Sequence, residues 1–183
     1  DKDIPAPDVG TNEAVMGWIM DTYSMMAGTA IPGIVTGKPV ELGGSLGRTE
    51  ATGQGAVYVL KEAMKRLKLP NDRCTAVIDG FGNVGRSAAE GMYEEGIRIV
   101  GLSDTSGAIF REAGLDVPEI VEHKLAGKPL AEYRAAGVQH IGREALLCTP
   151  CTVLATCAVG ETVTADNARG IQAQLVLECG NAQ

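Results

Sequence analysis

The sequence predicts an α/β protein with a doubly wound, mostly parallel sheet enclosed between two layers of helices. Short apolar runs alternate with longer segments of helical periodicity, which is the pattern of successive parallel strands and crossover helices. The 183 residues include 24 Gly but only two Phe and one Trp, so a core of small aliphatic side chains with many tight turns is expected. A glycine-rich turn also joins one apolar run directly to a helix-forming segment. We expect a single domain spanning residues 1–183.

Composition narrows the range of partners. The net charge is −7 and no block of Lys or Arg is present, so neither nucleic acid nor an anionic membrane is an expected partner. No apolar run has the length of a membrane span, and the first residues do not resemble a signal peptide, which predicts a cytoplasmic protein. Five Cys suggest reduced thiols. Cys148 and Cys151 have CxxC spacing, but without a second pair we favour small buried thiols over a metal site and predict no bound metal.

The first predicted helix follows an extended segment that contains Pro5 and Pro7. Thr11 or Asn12 can cap this helix, which runs to about Ala27 and carries a face rich in Met and Trp, suited to the core or to a subunit contact. Asp8 lies on the stiffened loop just before the helix. A carboxylate held in place in this way suits proton transfer, although an acid that only satisfies backbone N–H groups at a helix entry fits the sequence equally well.

An irregular segment rich in Gly and Pro spans residues 28–48. Gly33–Pro39 is similar to a phosphate-binding loop, but it is one residue too short and has Pro39 where a metal-binding hydroxyl is required, so we interpret it as a turn. Gly43–Gly53 then leads into a second helix that ends near Leu69. These glycines either make the segment a flexible connection or allow its backbone to come close to a ligand, which would bring the hydroxyls of Ser45 and Thr52 to that ligand.

The glycine-rich turn has the order required for binding a dinucleotide. The predicted strand at 74–78 runs into Gly80, Gly82 and Gly85, and a helix begins at once. The first glycine allows a sharp turn, the second a close approach to a pyrophosphate, and the third close packing of helix on strand. A second predicted strand ends at Asp104, close to the spacing expected of an acid that binds ribose hydroxyls. The alternative is a glycine-containing turn that binds no ligand.

The remaining elements complete the alternation of strands and helices. They are a short strand at 108–110, a helix capped by Asp116, a strand at 152–156, a short helix from Thr164 to Arg169 and a final strand at 175–178. No helix is predicted after the last strand. Ligands of such a sheet bind at the carboxyl ends of its strands.

Four motifs together resemble the glutamate dehydrogenases, within the broader family that includes leucine, phenylalanine and valine dehydrogenases. The motifs are Pro5–Thr11, Gly33–Pro39, Gly43–Gly53 and Gly80–Gly85, in the family's order and at its spacing. The first three favour the glutamate branch, and the resemblance covers nearly the whole chain. It implies a Rossmann-like nucleotide-binding domain in a three-layer α/β/α arrangement. The family's substrate domain and the helices that return to it are expected to be absent.

The resemblance also implies an activity and a set of site residues. The activity is oxidative deamination of L-glutamate to 2-oxoglutarate and ammonia, with hydride transferred to NAD or NADP. Asp8 corresponds to the catalytic aspartate that exchanges protons with the substrate nitrogen. The implied cofactor-binding residues are Thr52, Gly80, Phe81, Gly82, Asn83, Val84, Gly85, Ser103, Asp104 and Asn181. Asp104 should repel a 2′-phosphate and so gives a slight preference for NAD.

The C-terminal quarter departs from the family pattern. Residues 155–158 are Ala-Thr-Cys-Ala where the family usually has Ile-Pro-Ala-Ala, and residues 178–181 are Glu-Cys-Gly-Asn where it has Glu-Gly-Ala-Asn. A divergent relative and a deliberately rewritten domain both fit. We expect the isolated chain to bind cofactor with little or no turnover. L-glutamate and 2-oxoglutarate are expected as its substrates only when a complementary substrate domain is present. The alternatives are a non-catalytic nucleotide-binding module, natural or engineered, and an assembly module that forms a homo-oligomer through the Met-rich helix.

Overall fold

The computed structural model describes residues 3–8, 10–160 and 162–180. The chain divides into two compact units, residues 1–48 and residues 49–183. In the first unit, helix α1 spans Glu13–Ala27. The Asn12 side chain caps it by accepting a hydrogen bond from the Val15 N–H at 3.1 Å, and Gly28 ends it in the left-handed conformation with φ of +70°. The predicted start and end of this helix are confirmed.

The described residues of the second unit form the sheet and four further α-helices. Its elements, in chain order, are α2 (Ala51–Leu67), β1 (Thr75–Asp79), α3 (Asn83–Glu94), β2 (Arg98–Asp104), β3 (Gly107–Phe110), α4 (Val117–Leu125), β4 (Gln139–Ile141), α5 (Arg143–Leu147), β5 (Val153–Thr156) and β6 (Leu175–Glu178). The strand order is β4-β3-β2-β1-β5-β6. Strands β2, β1, β5 and β6 are mutually parallel, while β3 and β4 are antiparallel to their neighbours. The predicted doubly wound, mostly parallel sheet is confirmed.

Helices cover both faces of the sheet because its strands are apolar on both faces. Ile78 packs in a large cluster with residues of α2, α3 and α4, including Leu60 and Met92. The preceding residue, Val77, points the opposite way and packs with Leu146 of α5 in a second cluster. Parallel strands that are buried on both faces are expected to have continuous apolar sequences, and the central residues of β1 are all apolar. The three-layer α/β/α arrangement follows from these two cores.

Two local elements differ from the sequence prediction. Strand β4 was not predicted, because three residues flanked by turns have no recognisable period, and it forms by pairing antiparallel with β3. The helix predicted from Thr164 is replaced by a turn and one 3-10 turn at Ala168–Gly170. The Thr164 N–H donates to Asn167 Oδ1 at 2.8 Å and the Asn167 N–H donates to the Thr164 hydroxyl at 3.4 Å, which is the reciprocal pattern of a helix start, but the helix continues only as this single 3-10 turn.

Candidate functional site: the carboxyl edge of the sheet

The glycine turn lies between β1 and α3 and is fixed by the end of β2. Gly80 has φ of +98°, a left-handed conformation that side chains disfavour, and Phe81 is buried in the main core. The carbonyl oxygen of Ser103 accepts hydrogen bonds from the N–H groups of Gly80 and Phe81 at 3.1 and 2.7 Å. Hydrogen bonds to β2 therefore fix the backbone of the turn, and packing in the core fixes the side chain of Phe81.

The three glycines of the turn have different structural roles. A Cβ on Gly80 would collide with the backbone of Ala158, and a Cβ on Gly85 would collide with the carbonyl oxygen of Gly80. A Cβ on Gly82 would meet no atom of the described residues within 4 Å. The fold therefore requires Gly80 and Gly85, whereas Gly82 borders open space. This is the arrangement expected if the second glycine leaves room for a ligand.

The exposed residues at the start of α3 present hydrogen-bond donors at the same edge. Gly82 is the N-cap residue and Asn83 the first helical residue, and both are exposed, while Val84 is partly buried. The first N–H groups of a helix have no partner within it, and the helix dipole is positive at this end. Such a terminus is suited to binding the phosphates of a dinucleotide.

Helix α2 packs closely against α3 through a glycine. A Cβ on Gly53 would lie 2.6 Å from both the Val84 carbonyl oxygen and the Ser87 Cβ, so only glycine allows this approach. The Ser87 hydroxyl also donates to the Glu50 carbonyl oxygen at 3.0 Å. These contacts hold the first turn of α2 beside the first turns of α3. Thr52 is exposed on that turn of α2, one residue from the contact.

The end of β2 supplies the remaining residues predicted for the cofactor's ribose. Ser103 is fully buried and its hydroxyl donates to Asp79 Oδ1 at 2.6 Å, so its side chain supports the turn. Asp104 accepts from Lys124 Nζ at 2.5 Å and from the N–H of Ser106 at 2.7 Å. Burial would raise the pKa of Asp104, but the hydrogen bonds from Lys124 and Ser106 outweigh it and hold this pKa below its usual range.

A buried carboxylate with its own partners lies directly before the glycine turn. Asp79 is completely buried at the end of β1, and Arg143 binds both of its oxygens, through Nε at 2.7 Å and through a terminal nitrogen at 2.6 Å. Thr162 donates to the same carboxylate at 3.0 Å. Burial alone would raise the pKa of Asp79, but the hydrogen bonds from Arg143 and Ser103 hold it below the usual value.

Sequence reasoning assigned no role to Asp79, Arg143 or Thr162. The sequence does place an ionisable residue, Asp79, at the end of an apolar strand. An acid in such a position is buried only when it is paired, so this placement indicates that a partner exists. Its partners could not be found in this way, because Arg143 lies 64 positions and Thr162 lies 83 positions further along the chain.

Residues in register at the carboxyl ends of the four parallel strands form a polar row. Asp79 of β1 lies in register with Ser103 of β2 and with Thr156 of β5, and Thr156 lies in register with Glu178 of β6. Thr156 is fully buried, and its hydroxyl has no hydrogen-bond partner within the part of the chain that the structure describes. The apolar sheet thus ends in polar groups at the edge where ligands of this fold bind.

Of the other predicted site residues, one belongs to the first unit and one lies outside the described ranges. Asp8 is exposed in the first unit, where Thr11 holds its backbone: the Asp8 N–H donates to the Thr11 hydroxyl at 2.8 Å, and that hydroxyl donates to the Asp8 carbonyl at 2.9 Å. Asn181 lies outside the described residues.

The described residues show neither a metal-binding cluster nor a membrane helix. Within ranges 3–8, 10–160 and 162–180, no three His, Cys, Asp or Glu side chains come together as a metal site would require. In the same ranges, no helix is both long and apolar enough to cross a membrane. Cys151 of the CxxC pair is buried, and that burial raises the pKa of its thiol to about 11.

Comparison with known proteins points to one family over nearly the whole chain. The family model described as glutamate/leucine/phenylalanine/valine dehydrogenase matches residues 43–183, and the model of that family's dimerisation domain matches residues 1–25. The chain is 38% identical to the NADP-specific glutamate dehydrogenase of Synechocystis and 40% identical to the catabolic NAD-specific glutamate dehydrogenase RocG of Bacillus subtilis. Each alignment covers at least 98% of this chain but only 44% and 42% of the respective relative.

A solved structure gives the same result. The hetero-hexameric glutamate dehydrogenase of Thermus thermophilus superposes with a TM-score of 0.87 at 37% identity. That match covers 99% of this chain and 43% of the other. The chain therefore spans less than half the length of each of these relatives.

Proposed function

Because the chain belongs to the glutamate/leucine/phenylalanine/valine dehydrogenase family, we propose that residues 49–183 bind NAD or NADP for the oxidative deamination of L-glutamate. The observation that carries the proposal is the difference between the glycines of the turn: Gly80 and Gly85 are required by the fold, whereas Gly82 borders open space. Relatives specific for NAD and for NADP both align over nearly the whole chain, which supports a nicotinamide dinucleotide as the ligand class.

In this proposal the glycine turn and the start of α3 bind the pyrophosphate. The exposed N–H groups at Gly82 and Asn83 donate to its oxygens, and Thr52 on the neighbouring turn of α2 lies within the same surface. Asp104 accepts from a ribose hydroxyl at the end of β2, since a carboxylate has about four acceptor positions and the three hydrogen bonds from Lys124 and from the N–H and hydroxyl of Ser106 leave one of them unused. Asn181 remains a proposed contact from the sequence.

The nicotinamide supplies the hydride chemistry, and the chain supplies binding and proton transfer. A dinucleotide held at this edge would supply the acceptor for the hydride of the substrate's α-carbon. Asp8 is the proposed group that takes a proton from the substrate nitrogen, and the hydrogen bonds between its backbone and Thr11 fix the loop on which it stands. We propose that the 183 residues alone bind cofactor but turn over little glutamate, because charged intermediates of this reaction need a water-excluding cleft and the relatives are more than twice as long.

Calorimetric titration with NAD⁺ and NADP⁺, run beside a glutamate oxidation assay, tests this function. Saturable binding of at least one dinucleotide with negligible oxidation is expected. The variant Asp8→Ala should bind as the parent chain does, and it should fail to regain activity when a family substrate domain is added in trans. Absence of binding to both dinucleotides would overturn the assignment, and rapid glutamate oxidation by the chain alone would overturn the expected low turnover.

An assembly role for the first helix is a second proposal, favoured by one observation. Trp18, Met25 and Met26 of α1 are 68%, 69% and 84% exposed, and large apolar side chains in such a group often mark protein contacts. Residues 1–25 also match the family's dimerisation-domain model. Sedimentation velocity should show concentration-dependent association that Trp18→Gln with Met26→Gln abolishes. A chain that stays monomeric at all concentrations would remove this role and leave the dinucleotide proposal untouched.

A further inference from the structure

Two cysteines follow adjacent parallel strands at the carboxyl edge of the sheet. Cys157 comes directly after β5 and Cys179 directly after β6. The last paired residues of these strands are Thr156 and Glu178, and the Cys179 N–H donates to the Thr156 carbonyl at 3.0 Å, so the pairing continues to the two cysteines. The Cα atoms of neighbouring strands lie about 5 Å apart, which is within the range that a disulfide spans.

The two side chains point to the same face of the sheet. Each packs against the core cluster that also contains Ala155 and Leu177, the residues two positions earlier on the same strands. Successive residues of a strand alternate between faces, so residues two apart share one face. Both cysteines are free and partly exposed, and solvent therefore has access to the pair.

The two thiols interact and differ in character. The interaction with the neighbouring Cys157 thiol lowers the pKa of Cys179, whose S–H donates to the Leu177 carbonyl at 3.6 Å. The interaction with Cys179, together with burial, raises the pKa of Cys157 well above its usual value, and the negative charge of Asp79 raises it further. Cys179 therefore forms a thiolate more readily, whereas Cys157 retains its proton. That division suits a nucleophilic thiol beside a resolving thiol.

We propose that Cys157 and Cys179 form a redox-modification site, a dithiol that a peroxide converts to a disulfide. The Cys179 thiolate attacks one oxygen of hydrogen peroxide, the O–O bond breaks, and a sulfenic acid and hydroxide form. Cys157 then gives up its proton and attacks the sulfur of Cys179, and the S–O bond breaks to release water. Two thiols are oxidised by two electrons in total, and one peroxide is reduced to two molecules of water.

The position of this site connects it with the glycine turn. A Cβ on Gly85 would lie only 3.2 Å from the Cβ of Cys157, so the turn and the thiol pair share one packing contact. The Cys157 N–H also donates to the Asp79 carbonyl at 2.7 Å, directly before the turn. The oxidation itself requires only the fold, and the proposal therefore stands or falls separately from dinucleotide binding.

Peptide mapping after peroxide treatment tests the proposal. The full chain is exposed to hydrogen peroxide, its remaining thiols are alkylated, and the digest is analysed by mass spectrometry. We expect a peptide pair linked through Cys157 and Cys179, with three of the five cysteines alkylated. A linkage through Cys148 and Cys151, or alkylation of both Cys157 and Cys179 after oxidation of the others, would overturn it.

Serine variants separate the two proposed roles. Cys157→Ser should leave a sulfenic acid on Cys179 that dimedone traps, while Cys179→Ser should slow the loss of thiols about tenfold because the better thiolate is gone. The double variant Cys148→Ser with Cys151→Ser is the matched control and should form the disulfide normally. Equal rates in all variants would contradict the assignment.

A probe for adjacent thiols keeps the test independent of how the variants fold. Phenylarsine oxide bonds to two thiols at once with release of one water, so the parent chain should bind one equivalent and protect both Cys157 and Cys179 from alkylation. Protection of a different pair, or of no pair, would show that these thiols do not act together.

Discussion

Arg143 binds Asp79 through two parallel hydrogen bonds of 2.7 and 2.6 Å, and so pairs a fully buried carboxylate with a guanidinium whose side chain is 46% exposed. The pair joins the end of β1 to the start of α5 directly below the glycine turn. Removing one partner of a buried pair is costly because the other charge remains without compensation. This arrangement makes the turn depend on an ion pair that the sequence pattern did not reveal.

The first prediction concerns the stability contributed by this pair. Arg143→Met should lower the free energy of unfolding at neutral pH by roughly 2–4 kcal/mol. This loss is smaller than is usual for a fully buried ion pair, because water reaches the half-exposed guanidinium of Arg143. Arg73→Met, which removes an exposed arginine of the same unit, is the control and should change it by less than about 0.5 kcal/mol. Urea unfolding measures both, and equal effects would contradict a special role for Arg143.

The second prediction concerns acid stability. The pKa of Asp79 in the folded chain lies below its ordinary value of 3.8, so the unfolded chain binds protons more readily. The stabilisation is therefore complete above that ordinary value and is lost as the pH falls through the lower folded pKa. Unfolding free energies measured between about pH 6 and 2.5 should fall more steeply for the parent chain than for Asp79→Asn. Parallel curves would show that this carboxylate does not couple folding to protonation.

The third prediction separates folding from ligand binding in the glycine turn. Gly82→Ala should have a free energy of unfolding within about 0.5 kcal/mol of the parent's, since its Cβ meets no atom of the described residues within 4 Å. Its dinucleotide affinity should nevertheless fall about tenfold or more. Gly85→Ala should instead lose about 1–3 kcal/mol of stability, because its Cβ collides with the Gly80 carbonyl. Calorimetry and thermal unfolding give the two readouts. Unchanged affinity in Gly82→Ala would remove the turn from the proposed site.

The fourth prediction concerns the choice between NAD and NADP. Asp104 should repel a 2′-phosphate, while the Lys124 ammonium, 2.5 Å from it, should attract one. Asp104→Asn should therefore shift relative affinity towards NADP about tenfold, and Lys124→Met should shift it towards NAD. Lys128→Met, an exposed lysine of the same region, should leave the ratio unchanged. Shifts of the same sign in Asp104→Asn and Lys124→Met would contradict this arrangement of charges.

The sequence by itself determined the fold class, the family and the place of the glycine turn. Apolar runs of strand length, helix caps such as Asn12 and glycines at fixed spacing are local features, and the physical forces that act on them are local as well. For that reason the boundaries of α1 and the position of Gly80 before α3 follow from the order of residues.

Only the tertiary structure decided which residues meet at the carboxyl edge. Cys157 lies beside Cys179 because a parallel sheet brings the ends of distant strands together through crossover connections. Asp79 pairs with Arg143 because the chain returns to place the start of α5 beside the end of β1. Strand β4 likewise exists only as a partner of β3. Pairing across the sheet depends on register and burial, which no local pattern encodes, so these contacts become visible only once the strands are assembled.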